Sequence, residues 1–258
     1  IDMVNKLLKT IVLAISVQTL PAQIGTWMVS NRNHPELEWK TISTKQFNIH
    51  YHNGLEQTAI KSARVAEHVM PILMQQMDLD TIPKIDITLT SEDEFENGFA
   101  IRLTYQVFIW VEQNDMLLWL EKDKWLETVI AHELQHVLYF EKTKTWLPFP
   151  MDILIGNTPP WVIEGIAEYM TESWRPYRAD LEHKRHVLSN PDKRSMWDPH
   201  ADGFSKALYW ASRFGDSTFV QVLEYRNDAG LYDFEEAFKK VTGISSKQFV
   251  EDWRVHMN

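Results

Sequence analysis

The apolar residues of this chain change period once, and the order of the two periods narrows the fold more than any other feature. Lys45 to His52 puts Phe47, Ile49 and Tyr51 on one face and Asn48, His50 and His52 on the other, the alternation of a half-buried strand, and Gly54 ends it. Ile85 to Thr90 alternates in the same way. Val107 to Val111 makes a third strand, expected at the cleft-side edge of the sheet, with Asn97-Gly98 as a turn signal before it. Between the first two strands, Ala59, Ala63, Ala66, Val69 and Leu73 recur at helical spacing within Leu55 to Met77, and Pro71 predicts a kink or break near the end. From Asp123 onward the pattern is helical. Strands first and helices afterwards argue for an α+β fold. Residues 23–40 read as a connecting segment. Residues 143–160 hold Pro148, Pro150, Gly156, Pro159 and Pro160 and read as a long, stiff loop expected to cover a cleft.

Charge and cysteine content remove whole classes of function. Lys and Arg total 26 against 36 Asp and Glu, a formal charge of −10, which disfavours binding to a phosphate backbone. There is no cysteine among the 258 residues, so disulfides, thiolate metal sites and a cysteine nucleophile are excluded. Any metal must be held by His, Asp or Glu, which directs attention to the ten histidines. At the amino end, Lys6 and Lys9 precede an apolar run from Thr10 to Val17 and then Leu20-Pro21-Ala22, which reads as a signal peptide over residues 1–22. The expectation is therefore a secreted or periplasmic protein. No later stretch is apolar enough to insert stably in a membrane.

Residues 132–136 read His132-Glu133-Leu134-Gln135-His136 inside the helical stretch Lys124 to Glu141. Residues four apart lie on one helix face, so two imidazoles can meet one zinc ion. Glu133 points in a neighbouring direction, where it can reach a zinc-activated water as general base. Random composition gives about 0.03 such matches in a chain like this. The plainer reading is a charged, exposed helix face. Trp125, Val129 and Val137 flank the motif with apolar residues and point instead to a buried helix.

A catalytic zinc needs a third protein ligand and one open position. Trp161 to Tyr169 forms a second amphipathic helix with two acids one turn apart. Glu164 is the better ligand, and Glu168 can hold a zinc-bound imidazole by its other nitrogen. Their alternative is two solvent-facing acids, disfavoured by the neighbouring Trp161, Ile163, Ile166 and Ala167. His50 and His52, and likewise His183 and His186, read as solvated histidines. The eleven tryptophans read as core and cleft walls.

H-E-x-x-H followed by W-x-x-E-G-x-A-E-Y resembles the gluzincin superfamily of zinc metallopeptidases. Residues 34–39 and 47–52, Asn97 to Ala100, and Ala237 to Trp253 resemble parts of bacterial peptidase-MA-like domains, the kind found before TolB-like β-propellers. The resemblance implies a thermolysin-like zincin. A small mixed sheet and active-site helix would occupy residues 23–142, and an all-helical second subdomain carrying the third ligand would occupy 143–258. It implies Zn2+ on His132, His136 and Glu164, a peptide or protein substrate, and, if the chain is a fragment, a β-propeller partner. The family also places a Tyr or His downstream to stabilise the oxyanion. Two residues compete for that role: His200 in the loop Asp198 to Asp202, and Tyr209 in the helix that follows. The alternative to an enzyme is a non-catalytic zinc-containing domain that binds peptides or assembles a larger envelope protein.

Overall fold

Matching alternation brings the central strands together. In β2 (Phe47–His52) and β3 (Ile85–Thr90), the apolar faces meet in parallel register, Phe47 beside Ile85 and Ile49 beside Ile87. β5 (Gln106–Val111) continues the sheet in parallel, with Val107 beside Ile87 and Ile109 beside Leu89. All of these apolar side chains are buried. β1 (Trp39–Ser43) pairs antiparallel with β2, and β4 (Glu96–Ile101) pairs antiparallel with β5, so the order is β1-β2-β3-β5-β4. The structure is a computed structural model and describes residues 36–92, 96–111, 125–148, 151–171 and 199–257. The amino-terminal leader, His183 and His186 lie outside them. From Trp39 onward the chain forms one compact unit.

Parallel strands need a crossover, and α1 (Glu56–Gln76) supplies the one between β2 and β3. Its face of Ala59, Ala63, Ala66, Val69 and Leu73 is buried against the sheet. Pro71 does not end it. Met70 and Leu73, buried on either side, hold the chain helical across the proline, so tertiary packing outweighs the lost backbone bond. The later helices are α2 (Trp125–Thr143), α3 (Met151–Gly156), α4 (Pro160–Thr171), α5 (Pro199–Phe214), α6 (Ser217–Glu224), α7 (Phe234–Thr242) and α8 (Ser246–His256). α2 runs through the middle, packed by α1, α4, α6, β4 and β5. Beneath α4 and α5, Trp161, Trp210, Phe219, Phe234, Phe238 and Phe249 form a continuous aromatic core. The ends of α7 are set by Asp233, which accepts from the Glu236 N–H, and by Gly243 in the left-handed region. Among the described residues no helix is long and apolar enough to cross a membrane.

Several expectations need correcting. Val107 to Val111 is not the edge of the sheet, because β4 lies outside it. Asn97-Gly98 is not a turn. Both residues sit in β4, opposite Trp110 and Ile109. The chain turns at Arg102 to Tyr105, with Tyr105 at φ 51°. The glycine marks close approach instead. A Cβ on Gly98 would lie 2.7 Å from Val129 Cγ2 and 3.0 Å from Glu133 Oε1. Residues 39 and 40, read as connector, begin β1. That strand alternates too weakly to declare itself and is fixed by its pairing with β2.

The stretch 143–160 is docked rather than suspended. It contains α3, and Arg102 binds Asp152 at 2.8 Å and Thr143 at 3.0 Å. The Tyr139 hydroxyl donates to Thr158 Oγ1 at 2.8 Å. His52 is buried rather than solvated, and its Nε2 accepts the Ser91 N–H at 3.2 Å.

Candidate metal centre

α2 is buried on nearly every side, from Thr128 through Tyr139. A helix so enclosed presents His132 and His136 to a protein interior. Both imidazoles point their Nε2 atoms at a single oxygen, Glu164 Oε2 on α4, at 3.2 Å and 3.3 Å. Their rings stand edge to face, 4.6 Å between centroids. One turn further along α4, Glu168 Oε1 lies 3.8 Å from His132 Nδ1, the side of that ring turned away from Glu164. The structure thus brings together His132, His136, Glu164 and Glu168, four of the residues singled out by spacing.

Glu133 leaves α2 in another direction, towards β4. Its carboxylate occupies the space that Gly98 leaves open. Glu133 Oε2, His132 Nδ1 and His136 Nδ1 are buried without a hydrogen-bond partner among the described residues. Burial of unpartnered acceptors beside two further carboxylates is unfavourable unless a cation shares the site.

His200 completes the constellation, from a position the sequence did not suggest. It does not lie in a loop. Pro199 opens α5, where a residue without an N–H loses nothing, and His200 falls in the first turn. His200 Nδ1 is 3.3 Å from Glu164 Oε2 and 3.2 Å from Glu168 Oε1. Two glycines make this approach feasible. A Cβ on Gly165 would collide with Gly203 O, and a Cβ on Gly203 would sit 2.6 Å from Trp161 O. α4 and α5 therefore meet backbone to backbone. Lys206 anchors the same end of α5, paired with Asp202 and lying 4.5 Å from the Trp253 ring.

Tyr209 belongs elsewhere. It follows His200 by nine residues, about two and a half helical turns, which places it on the opposite side of α5. Its ring packs on Phe249 and His256, and its hydroxyl accepts from Arg213. The role weighed for it at the site has no geometric support.

The charges of the cluster are strongly coupled. Burial opposes ionisation of Glu164, but the facing imidazoles of His136 and His132 hold its carboxyl well below the usual range. Burial pushes His132 down to about 4. At His136 burial acts in the same sense, but the Glu164 carboxylate overcomes it and pushes the imidazole up to about 9. Burial pushes Glu133 up to about 7, the range of a group that exchanges protons near neutrality.

The donor atoms fit a zinc ion. Tetrahedral bonds of 2.0–2.1 Å imply donor–donor edges of about 3.3–3.4 Å, and three imidazole nitrogens stand 3.2–3.3 Å from Glu164 Oε2. The donor atoms of His132, Glu164 and His200 all lie within 4.8 Å of one another.

No protein-family model matches the chain, and no curated protein matches it. Solved structures do. A two-domain M1 zinc metallopeptidase bound to L-tryptophan is 14% identical over 84% of this chain and 51% of its own, with a TM-score of 0.45. An aminopeptidase N family protein from Idiomarina loihiensis is 11% identical over 84% of this chain and 46% of its own, with a TM-score of 0.48. An M1 zinc metallopeptidase from Deinococcus radiodurans is 13% identical over 84% and 52%, with a TM-score of 0.43. The chain spans about half the length of these proteins. Likeness at this distance carries no chemistry across, and the function proposed below rests on the side chains of this chain.

Proposed function

We propose that the protein is a zinc-dependent metallopeptidase of gluzincin type with a thermolysin-like arrangement, in which His132, His136 and Glu164 hold the metal and Glu133 is the general base. The observation that carries this reading is the convergence of imidazole nitrogens on Glu164 Oε2 beside a buried carboxylate with an unpartnered oxygen. Zinc held there would supply Lewis-acid polarisation of a carbonyl and of water. The remaining work falls to the chain. Glu168 Oε1 faces the far side of the His132 ring at 3.8 Å, where it would balance the charge of a metal-bound imidazole. Glu133, enclosed between α2 and β4, would accept a proton from the attacking water and deliver it to the leaving amine.

A peptide substrate suits the site because β4, one of the two edge strands, runs directly past Glu133 at Gly98. An extended peptide adding to that strand would gain main-chain hydrogen bonds while its carbonyl met the base. The basic and apolar leader at residues 6–17 supports export of the protein. Cleavage of denatured casein tests the reading. It should require one zinc per chain, stop with a chelator and return when zinc is restored. Intact casein in the presence of zinc-loaded protein would contradict it.

A second reading is favoured by His200, whose nitrogen stands as close to Glu164 Oε2 as do the H-E-x-x-H imidazoles. A site that four protein donors keep closed even when peptide is bound would hold zinc and peptide without hydrolysis. Zinc binding together with peptide affinity but no cleavage would establish it.

A further inference from the structure

We infer that His200 is a fourth protein ligand, so that the resting metal site is His132, His136, His200 and Glu164, with no position left open. This rests on the metal site proposed above and adds to it. The case begins with distance. Nδ1 of His200 is 3.3 Å from Glu164 Oε2, against 3.2 Å for His132 and 3.3 Å for His136. Three nitrogens stand at the edge length of a zinc tetrahedron from one carboxylate oxygen, and the donor atoms of His132, Glu164 and His200 also lie within 4.8 Å of one another, a group to which His136 is joined through Glu164 Oε2. An oxyanion donor has a different requirement. It must stand back from the ligands by the depth of a substrate carbonyl, whereas His200 Nδ1 is as close to Glu164 Oε2 as the H-E-x-x-H imidazoles are.

The second argument is the construction that delivers it. α5 can place a first-turn residue against α4 only because Gly165 and Gly203 lack side chains at the crossing. Glu164 and Gly165 are adjacent in α4, and Gly203 follows His200 by three residues, one turn on. The close approach is therefore built at the level of the ligands. Glu168 Oε1, itself buried, lies 3.2 Å from the same Nδ1 and holds the ring at this corner in the metal-free protein.

The third argument concerns freedom. The His200 side chain keeps 36% of its surface exposed, against 7% and 9% for His132 and His136. Of the three imidazoles it alone has room to leave the metal without disturbing the buried helix α2. Hydrolysis needs an open position. His200 therefore acts as a built-in competitor that substrate or water displaces, keeping the loaded site closed until a peptide is present.

Zinc K-edge absorption of the wild-type protein, loaded with zinc alone, counts imidazole ligands without any substitution. Three are expected, and two would overturn the inference. His200→Ala and His200→Asn should then bind zinc at least tenfold more weakly in competition with a chromophoric chelator, and should show two imidazoles. Unchanged affinity in both, with His132→Ala losing the metal, would sink the fourth ligand and leave the three-ligand site standing. A wild-type protein that takes up no zinc would sink both. Circular dichroism of each variant identifies any loss of fold. A variant that does not fold leaves the ligand count of the wild type as the deciding result.

Discussion

The two walls of the candidate metal site are held in opposite ways. On the α2 wall, His132, Glu133 and His136 ride on one helix enclosed by α1, α4, α6 and the sheet. Their relative positions follow from backbone geometry alone, since a residue and its fourth successor share a face. On the α5 wall, His200 sits in the first turn of a helix that reaches Glu164 only because two glycines allow α4 and α5 to touch. The first wall is rigid by construction. The second depends on a separation set by packing, and a single methyl group can change it. In the proposed site the base and two ligands ride on the rigid wall, and the ligand proposed to move rides on the adjustable one.

The comparison can be broken first at the ligands. His132→Ala or Glu164→Ala should weaken zinc binding by more than the roughly hundredfold that loss of an outer supporting partner produces. Equilibrium dialysis against buffered zinc measures it. Next in size is Glu133→Gln, which should retain zinc and lose a factor of about 10²–10⁴ in peptide turnover, the range expected for a general base.

The same substitution sharpens the account in metal-free protein. Burial raises the Glu133 carboxyl to about 7 in the fold from its ordinary value of 4.5. The folded state therefore holds the proton more tightly. Wild-type stability from this group is intact below about pH 4.5 and is lost as pH rises through about 7. Glu133→Gln should match the wild type at pH 4 and exceed it by about 1–3 kcal/mol at pH 8. Urea unfolding at the two pH values reads this difference. A constant difference between the two proteins would show that the carboxyl does not titrate as described.

A smaller effect is expected at the helix crossing. Gly203→Ala places a methyl 2.6 Å from Trp161 O and 2.7 Å from Gly165 N, both backbone atoms. Overpacking should cost about 1–3 kcal/mol, partly offset by the better helix propensity of alanine. Zinc affinity should fall through displacement of His200 while His132, His136 and Glu133 stay in place. Thermal unfolding and chelator competition together separate the two effects. The smallest change is expected for Tyr209→Phe, within about 0.5 kcal/mol in stability and indistinguishable in turnover, since its hydroxyl contacts Arg213 and not the cluster.

What could be read in the sequence follows the same division. His132, His136 and Glu133 were legible because the helix fixes them locally, and Glu164 with Glu168 because an acid pair one turn apart lies on an apolar helix. The strands with strong alternation, β2, β3 and β5, were legible for a similar reason. The order of the sheet was not, because β4 carries Asn97-Gly98, residues that ordinarily signal a turn. Gly98 is required instead by the approach of Val129 and Glu133 from another element. The choice between His200 and Tyr209 turned on whether α5 begins at Pro199 and which side of it faces α4. Gly165 after Glu164 and Gly203 after His200 were the available signal, a matched pair of glycines beside two candidate ligands.

The most direct test of the central claim compares wild type and Glu133→Gln at equal, measured zinc occupancy, following cleavage of an unstructured polypeptide. The account predicts one zinc per chain in both proteins, chelator-sensitive cleavage in the wild type, and turnover about two orders of magnitude lower or worse in the variant. Cleavage at the same rate by both proteins, or loss of zinc in Glu133→Gln as severe as in His132→Ala, would contradict the assignment of Glu133 as base beside a His-His-Glu metal site.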